Sequence, residues 1–397
     1  MIKGSTVVEE HGGLTVGLDI GDKYTRMCVI DDRADVVEEG SFRTTPEAVR
    51  ARFEGMARAL VVLEVGTHSP WLSRLLQRLG HECLIANPAA LYRKGRKKSD
   101  KIDASQLARW GRADPELLKP VTHRSEEMQR ELALIYSRRA LVESRSKLIN
   151  AVRGLAKSYG HRLPGCDAKS FHKRARSSAP LPLSATLEPL LVMIESLSRE
   201  IHVLDKRIEE LCEVKYQRET SAMRQIKGVG PLTALTYVLV IRDWRRFAKS
   251  RSVGAYLGLA PALDESGDSV RERGISKAGH KYLRQLLVGG AHYVLGPFGP
   301  DSTLRRWGQR KGRGGKIAKK RAAVAVARKL AVLMHHLWAT GEIYEPLRGS
   351  QGEASADSNS GEADHDATAS SKGGKQGRVR RRVNKDKEVR SAQGACR

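Results

Sequence analysis

The sequence contains few cysteines, and none is spaced for a metal site or a disulfide framework. The five are Cys28, Cys83, Cys166, Cys212 and Cys396. Their scatter excludes zinc binding by paired thiolates and a fold held together by disulfides. Long apolar runs are also missing, because none approaches the length of about 20 residues that a membrane span requires. The polar N-terminus lacks a signal-peptide core. We therefore expect an intracellular protein with reduced thiols and no membrane association.

Acidic residues are scarce relative to basic ones. The 397-residue chain has 71 Lys and Arg against 45 Asp and Glu, a formal net charge of +26. Residues 349–397 hold ten of the basic and seven of the acidic residues, so nearly all of the excess belongs to residues 1–348. A net charge of about 2 to 8 already keeps a small domain soluble. The larger excess points to a polyanionic partner, DNA or RNA.

Alternating apolar residues predict an α/β region at the N-terminus. Three strands, 14–20, 24–30 and 36–43, are separated by turns at Gly21-Asp22 and Asp31-Asp32. Thr45-Pro46-Glu47 then starts a helix, and a strand at 60–65, a helix at 70–79, a strand at 83–87 and a helix from about Asp100 to Trp110 follow. A three-strand meander followed by alternating α and β elements is typical of an RNase H-like sheet.

The middle of the chain predicts long helices. Residues 124–159 contain no proline and a single glycine, Gly154. After a proline-rich and basic break over 163–182, a second helix carries apolar residues at alternating spacings of three and four: Leu187, Leu190, Ile194, Leu197, Ile201, Leu204, Ile208 and Leu211. This heptad seam predicts a coiled coil. The core stripe of a helical bundle is the alternative, and either structure would make the segment an arm or assembly surface.

A mainly helical region punctuated by glycines follows from about residue 223. It opens with Ile226-Lys227-Gly228-Val229-Gly230-Pro231, before an apolar helix over 232–241. A turn of this kind exposes backbone N–H groups at a helix N-terminus, where a phosphate can bind. The segment resembles a helix-hairpin-helix nucleic-acid motif, with Gly228 and Gly230 as phosphate contacts. A purely structural turn is the alternative.

A dense run of basic residues lies between two predicted core helices, 281–295 and 317–338. Its members are Arg305, Arg306, Arg310, Lys311, Arg313, Lys316, Lys319, Lys320 and Arg321. Because so many like charges repel one another unless phosphates neutralise them, contact with DNA or RNA is favoured over a merely solvated face. Residues 349–397 are too polar to bury a core and are predicted to be a disordered tail, whose basic cluster at 378–382 can touch nucleic acid without base specificity.

Four carboxylates in the α/β region lie where a metal-dependent nuclease would need them. Asp19 lies in the first strand, Glu64 near the end of the fourth, and Asp100 and Asp103 three residues apart on one helix face. Carboxylates in apolar strands are costly to desolvate unless they are paired or bind a cation. All four are hard oxygen ligands that suit Mg²⁺, and such a cluster can hold two ions about 4 Å apart for phosphodiester attack. Any one of them alone is more often a cap or a surface charge.

An actin-like ATPase is an alternative for the first hairpin. Gly17-Leu18-Asp19-Ile20-Gly21 suits the hairpin that contacts ATP phosphates in that family. The family also needs a second glycine-rich phosphate loop with its own aspartate. Leu63-Glu64-Val65-Gly66-Thr67 is the nearest candidate and has a single glycine, so the ATPase is disfavoured.

Two independent sets of motifs resemble the IS110-type transposases, in particular the IS1111 group. Gly17-Leu18-Asp19-Ile20-Gly21, Glu64-Val65-Gly66 and Ser99-Asp100-Lys101-Ile102-Asp103-Ala104 look like the N-terminal DEDD domain of that family. Gly228-Val229-Gly230-Pro231, Tyr256-Leu257-Gly258-Leu259-Ala260-Pro261, Ser266-Gly267 and Gly274-Ile275-Ser276-Lys277-Ala278-Gly279 look like its C-terminal transposase domain. The motifs occur in the family's order.

The resemblance implies a recombinase guided by a structured RNA from its own element. In that scheme Asp19, Glu64, Asp100 and Asp103 bind Mg²⁺, and Ser266 attacks a DNA phosphate to give a phosphoserine intermediate. The scheme is chemically coherent, since a hydroxyl is a poor nucleophile until a metal or base activates it. Ser269 and Ser276 are rival serines, and Ser276 suits a helix N-cap better. The 349–397 tail departs from the family pattern.

The expected fold class is α/β plus α, in four parts. We predict a RuvC-like, RNase H-like nuclease domain over 1–120, a coiled-coil helical arm over 121–220, a mainly helical transposase domain with a helix-hairpin-helix-like motif over 221–348, and the tail over 349–397. The expected partners are donor and target DNA, a structured guide RNA and further copies of the chain in a dimer or tetramer. We also expect Lys277 to contact nucleic acid.

Two rival functions stay open. One is a RuvC-type junction nuclease that hydrolyses phosphodiesters with metal-activated water and forms no covalent intermediate. The other is a non-catalytic nucleic-acid-binding protein that has kept an RNase H-like fold. For each of these functions the expected location is the cytoplasm of a bacterial-type cell, at the nucleoid.

Overall fold

Seven strands and twelve α-helices make up the described part of the chain, residues 13–87, 100–266 and 269–348 of a computed structural model. The strands are β1 (Thr15–Ile20), β2 (Tyr24–Ile30), β3 (Val36–Arg43), β4 (Leu60–Glu64), β5 (Glu82–Ala86), β6 (Pro261–Ser266) and β7 (Ser269–Ile275). The helices are α1 (Pro46–Phe53), α2 (Ser69–Arg78), α3 (Asp100–Ala113), α4 (Glu126–Ser158), α5 (Phe171–Ser178), α6 (Leu181–Glu210), α7 (Gln217–Arg224), α8 (Pro231–Ile241), α9 (Arg251–Tyr256), α10 (Lys281–Leu295), α11 (Thr303–Lys311) and α12 (Lys316–Thr340). The predicted tail over 349–397 lies outside the described residues.

A five-stranded mixed sheet organises the N-terminal part. Its strand order is β3-β2-β1-β4-β5, with β1 at the centre. β1, β2 and β3 pair antiparallel, while β4 runs parallel to β1 and β5 parallel to β4. The predicted α/β sheet is therefore confirmed, and each of its strand bounds was predicted to within one residue. The arrangement is consistent with an RNase H-like domain.

Helices cover both faces of this sheet. On one face, Val16 and Leu18 of β1 share a core with Phe53 of α1 and Leu72 of α2. On the other face α3 crosses the sheet, and its Ala104 packs with residues of β2. Because successive side chains of a strand point to opposite faces, the odd-numbered residues of β1 face α3. This alternation decides where the acidic residues lie.

Helices α4 and α6 form an antiparallel hairpin within the chain. An ion pair joins Arg138 to Asp205 at 2.5 Å, and Arg145 Nη1 donates to Ser198 Oγ at 3.2 Å. Half of the predicted heptad residues are buried in this hairpin and its extension: Leu187, Ile194, Ile201 and Ile208. The other half are only partly buried: Leu190, Leu197, Leu204 and Leu211. The seam is thus filled largely from the same chain, and its use as an assembly coiled coil stays a prediction.

Two features of this region were not predicted from the sequence. The break at 163–182 contains a helix, α5, whose Phe171 is buried between α4 and α6. Among the described residues, the stretch Leu181–Lys215 is also long and apolar enough to cross a membrane by length and composition alone. A single helix of this kind is weak evidence, since buried core helices pass the same test.

The C-terminal part is mainly helical, as predicted, around the buried helix α8. Tyr237 of α8 is fully buried and donates its hydroxyl to Ala331 O of α12 at 2.7 Å. The helices predicted at 281–295 and 317–338 correspond to α10 and α12. The antiparallel hairpin of β6 and β7 was not predicted. This hairpin carries Ser266.

Candidate functional site

Asp19 and Glu64 lie at the carboxyl ends of two neighbouring parallel strands. β1 and β4 pair in register as far as Leu18 and Leu63, and Asp19 and Glu64 are the next residue of each strand. Gly17 and Val62, each two residues earlier, face α3, because α3 approaches both of them closely. Asp19 and Glu64 therefore also face the side of the sheet that α3 covers. Both side chains are partly exposed.

Helix α3 touches β1 directly because Gly17 has no side chain. A Cβ on Gly17 would lie 2.0 Å from Ala104 O and 2.6 Å from Ala108 N. Asp103 directly precedes Ala104 in the first turn of the helix and is partly exposed. Asp100 is the first residue of α3, and its side chain lies outside the described residues. The backbone thus brings strands and helix together at the edge where the four acids were predicted to meet.

The acidic residues suit a hard divalent cation by chemistry. Among the residues whose side chains are described, no group of three or more His, Cys, Asp or Glu could hold a metal ion. Asp19 and Glu64 each take part in an interaction within the chain. The assignment of Asp19, Glu64, Asp100 and Asp103 as Mg²⁺ ligands stays a prediction.

Arg26 lies directly opposite Asp19 and was not singled out from the sequence. It is the cross-strand partner of Asp19 in the β1–β2 hairpin, and such partners share one face of the sheet. Arg26 also lines a shallow cavity with Cys28, Glu39 and other residues of β2, β3 and α3. The sequence could have revealed this pairing, because the short turn at Gly21-Asp22 fixes the register of the two strands.

Ser266 lies at the end of a short hairpin. It is the last residue of β6, and its cross-strand partner in β7 is Ser269. The side chains of both serines lie outside the described residues, as does the turn at 267–268. The backbone alone places Ser266 at the tip of the hairpin, and its role as nucleophile is untested.

Two glycines of the C-terminal motifs hold the base of this hairpin by close backbone packing. Gly258 and Gly279 have φ of +68° and +69°, a region that favours glycine. A Cβ on Gly258 would lie 2.2 Å from Ala278 O, and one on Gly279 would lie 2.2 Å from Tyr256 O. The segments 256–261 and 274–279, separate in sequence, therefore form one structural unit beneath Ser266.

His280, and not Ser276, caps the N-terminus of α10. The Nδ1 of His280 accepts the N–H of Leu283 at 3.1 Å, and its Nε2 lies 2.8 Å from the hydroxyl of Tyr136. Burial lowers the pKa of His280 to about 4, with the charge of Arg124 acting in the same direction. The imidazole is therefore neutral, and its Nε2–H donates to Tyr136. This bond ties the α4–α6 arm to the base of the Ser266 hairpin.

Lys277 lies in the same unit with its side chain exposed. Its φ is +58°, unusual for a residue other than glycine, and its N–H donates to Gly258 O at 3.1 Å. The guanidinium of Arg284, which was not predicted from the sequence, bonds the carbonyls of Leu257, Ala278 and Gly279. Lys277 is thus held on a rigid backbone, and its contact with nucleic acid stays a prediction.

The glycine turn at 226–231 joins α7 to α8, and its shape has a structural explanation. Gly228 has φ +102°, and a Cβ there would lie 3.0 Å from Gly290 O of α10. Gly230 precedes α8 as its N-cap. The turn lines a shallow groove with Tyr293 and nearby residues. The structure therefore requires glycine at 228 for packing, and phosphate binding by Gly228 and Gly230 is untested.

The predicted basic run divides into engaged and exposed residues. Arg305 Nη1 donates to the carbonyls of Val294 and Gly296, each at 2.6 Å. Arg306 forms an ion pair with Asp301 at 2.5 Å. The other predicted contacts are exposed, on α11, on the connection after it and on α12: Arg310, Lys311, Arg313, Lys316, Lys319 and Lys320. Arg305 is held by carbonyls of its own chain, and its contact with phosphate stays a prediction.

Comparison with known proteins finds transposases over most of the chain. A transposase model of the DEDD IS110 type matches residues 16–161, and the model of the Transposase IS116/IS110/IS902 family matches residues 220–302. The transposase for insertion sequence element IS1111A of Coxiella burnetii is 30% identical over 292 residues, which cover 70% of this chain and 77% of that protein.

Two further relatives extend this similarity. The transposase for insertion sequence element IS1328 of Yersinia enterocolitica is 30% identical over 237 residues, 58% of this chain and 69% of that one. The pilin gene-inverting protein of Moraxella bovis is 27% identical over 289 residues, 70% of this chain and 78% of that one. The matches span both the sheet and the mainly helical part.

Proposed function

This chain belongs to the IS110 family of transposases, and we propose that it cuts and rejoins DNA through a covalent bond between Ser266 and a DNA phosphate. The observation that best supports nuclease activity is that Asp19 and Glu64 lie on one sheet face, each directly after the last paired residues of β1 and β4. The first turn of α3, with Asp100 and Asp103, covers that face. The Moraxella bovis relative is named for gene inversion, which supports rejoining over simple hydrolysis.

We assign the four acids to Mg²⁺ and Ser266 to the attack on phosphorus. Mg²⁺ bound by these carboxylates would supply the positive charge that activates a hydroxyl and stabilises the leaving oxygen. The Ser266 oxygen would bond to phosphorus while the bond from phosphorus to the deoxyribose oxygen breaks, and the serine proton would leave to a base. The hairpin tip must then meet the acidic edge in the same chain or in another copy, which favours a dimer or tetramer.

A second polyanion, a structured guide RNA, is part of the proposal. The family resemblance implies it, and the net charge of +26 supports binding to phosphate, which RNA and DNA share. The exposed lysines and arginines of α11, α12 and their connection, together with Lys277, are the surfaces we assign to DNA or RNA. Because the protein would act on DNA, we also assign it to the cytoplasm, at the nucleoid.

The decisive experiment asks for a protein–DNA adduct. Wild type, Ser266→Ala and the matched control Ser269→Ala are incubated with the element's DNA, its RNA and Mg²⁺, and are separated on a denaturing gel. We expect an adduct with wild type and Ser269→Ala, and none with Ser266→Ala, although all three bind DNA. Normal cleavage by Ser266→Ala without any adduct would favour a junction nuclease that activates water.

The acids are tested by removing one charge at a time. Asp19→Asn, Glu64→Gln, Asp100→Asn and Asp103→Asn should each abolish cleavage and leave nucleic-acid binding largely intact, because each removes a metal ligand and leaves the phosphate-binding residues in place. Wild-type cleavage by two or more of them would refute the metal site. If the site is shared between chains, mixing Asp19→Asn with Ser266→Ala protein should restore some activity.

A further inference from the structure

Four arginines from three separate segments converge beside the C-terminal end of α8. They are Arg74 of α2, Arg124 just before α4, and Arg242 and Arg246 just after α8. Arg74 Nη2 donates to Arg124 O at 2.9 Å, and Arg124 Nε donates to Leu239 O at 2.9 Å. The segments are therefore linked through the side chains of the cluster, which we call the arginine junction.

The hydrogen bonds within the arginine junction do not neutralise its charge. Arg242 Nη1 donates to Thr122 O at 2.5 Å, and Arg246 Nη1 donates to Ile241 O at 2.7 Å. These acceptors are neutral carbonyls, and no carboxylate in the described part of the chain forms an ion pair with any of the four arginines. Asp243 lies nearby and forms its ion pair with Arg245, at 3.0 Å, while the charge of Arg246 also acts on it.

The positive charges of the arginine junction act on one another. Burial lowers the pKa of Arg242, and the charges of Arg246 and Arg124 lower it further. His123 lies among them with its Nε2 buried and without a hydrogen-bond partner in the described structure, and its pKa is lowered by burial and then by Arg74. The cluster therefore carries repulsion that an anion would relieve.

Capping of the C-terminus of α8 is a simpler explanation for the cluster, but the charge of a helix end is too small to account for four arginines. A helix C-terminus carries the equivalent of about half a negative charge, against four guanidinium charges. Arg242 moreover occupies the C-cap of α8 with φ +71° and ψ −54°, in the range where glycine is favoured. Glycine would adopt this conformation more easily, so the position of Arg242 points to a use for its side chain beyond the α8 cap, and the bond to Thr122 O is one such use.

Aromatic rings adjoin the charges on the outer side of the arginine junction. The guanidinium of Arg246 lies 5.6 Å from the ring centroid of Phe247 and 5.3 Å from that of Tyr256. Tyr256 is 37% exposed, as is Trp244, which lies two residues before Arg246 in the chain. Arg246 is exposed, and Arg74, Arg124 and Arg242 are half-buried. Exposed rings beside arginines suit unpaired bases, which stack on aromatic faces while the arginines hold the phosphates.

From this geometry we infer that the arginine junction binds an unpaired nucleic-acid strand, with Arg242 and Arg246 on its phosphates and Tyr256 and Trp244 against its bases. The inference rests on the proposed function only in assuming that the chain binds nucleic acid. It adds residues outside the exposed basic run of α11 and α12. Through Tyr256 the arginine junction adjoins the backbone unit that carries Lys277. RNA and DNA share the recognised chemistry, so the test must separate them.

The test measures equilibrium binding of the full chain to three probes of equal length: single-stranded RNA, single-stranded DNA and duplex DNA. Arg242→Gly removes one charge and the hydrogen bond to Thr122 O, and the relief of the strained backbone offsets that loss, so it should fold about as stably as wild type. Arg246→Gln removes the charge beside the two rings. Arg245→Gln is the matched control, because it removes the same charge from a neighbouring residue that Asp243 already neutralises.

We expect Arg242→Gly and Arg246→Gln to bind a single-stranded probe several-fold more weakly than Arg245→Gln does. The slope of log affinity against log salt should fall by about 0.7 for each phosphate that the variant no longer neutralises. Weaker binding confined to the RNA probe or to the DNA probe identifies which strand occupies the arginine junction. Affinities equal to the Arg245→Gln control, or an equal weakening on duplex DNA, would overturn the inference. A wild-type protein that binds none of the probes would instead contradict the proposed function.

Discussion

Gly17→Ala tests how α3 is seated on the sheet that carries the acids. The added methyl group would lie 2.0 Å from Ala104 O and 2.6 Å from Ala108 N, where ordinary contacts begin at 3.4 Å. Both contacts are backbone atoms, so no rotamer change can relieve them, and the helix must move away by more than about 1 Å. Overpacking of this kind destabilises a protein by about 1–3 kcal/mol. The reduced freedom of the unfolded chain offsets about 0.4–1 kcal/mol of that.

The displacement of α3 should reduce the rate of DNA cleavage more than it reduces the stability of the fold. Asp103 precedes Ala104 and would move away from Asp19 with the helix, and a misplacement of about 1 Å in a catalytic site can reduce the rate roughly 100-fold. Urea unfolding and DNA cleavage are measured on Gly17→Ala and on Gly40→Ala, a control in the same sheet whose methyl would meet only Met27 Cε at 4.0 Å. Stability and cleavage equal to that control would refute both the seating of α3 and its role in the site.

Two further predictions follow from the arm and from His280. Ile201→Asp puts a carboxylate at a residue only 2% exposed in the α4–α6 hairpin and should lower the free energy of unfolding, measured in urea, by several kcal/mol. Val203→Asp, at a residue 57% exposed on the same helix, should change that free energy little. Equal destabilisation by the two substitutions would contradict the hairpin. The pKa of His280 falls to about 4 in the folded chain. As the pH falls below about 6.5, the unfolded chain therefore binds a proton at His280 before the folded chain does. The contribution of His280 to stability is full above about pH 6.5 and disappears as the pH falls toward 4. His280→Asn, which can still cap α10, should make the melting temperature less dependent on pH across that window, and an unchanged dependence would count against the neutral imidazole.

The N-terminal sheet could be predicted because its signals are local. Strand alternation and short turns are encoded within a few residues, and they also fix which face each side chain occupies. That is why the shared face of Asp19 and Glu64 follows from the predicted strands. Arg26 could have been found in the same way, from the register of the first hairpin.

Contacts between distant segments could not be predicted from the sequence. His280 and Tyr136 are 144 residues apart, and neither has a local pattern that reveals the other. The heptad seam of α6 was recognised, but periodicity does not say which helix covers it, and the structure fills half of it from α4 of the same chain and the core beside it. The short hairpin of β6 and β7 was hidden by its glycines and charges, which are also typical of loops.

The residues engaged within the structure change how the basic charge of this chain is interpreted. Arg284, Arg305 and Arg306 all bind carbonyls or a carboxylate of their own chain, so a run of basic residues in the sequence overstates the surface open to phosphate. The arginine junction shows the opposite effect: the sequence understates its charge, because its members are scattered along the chain and only the fold brings them together. Net charge therefore identifies the class of partner. The location of contact depends on whether a guanidinium group has an acidic neighbour. Arg306 pairs with Asp301, and the charge of Arg305 also acts on Asp301. The junction arginines form no ion pair with a carboxylate in the described part of the chain, so the junction is the stronger candidate.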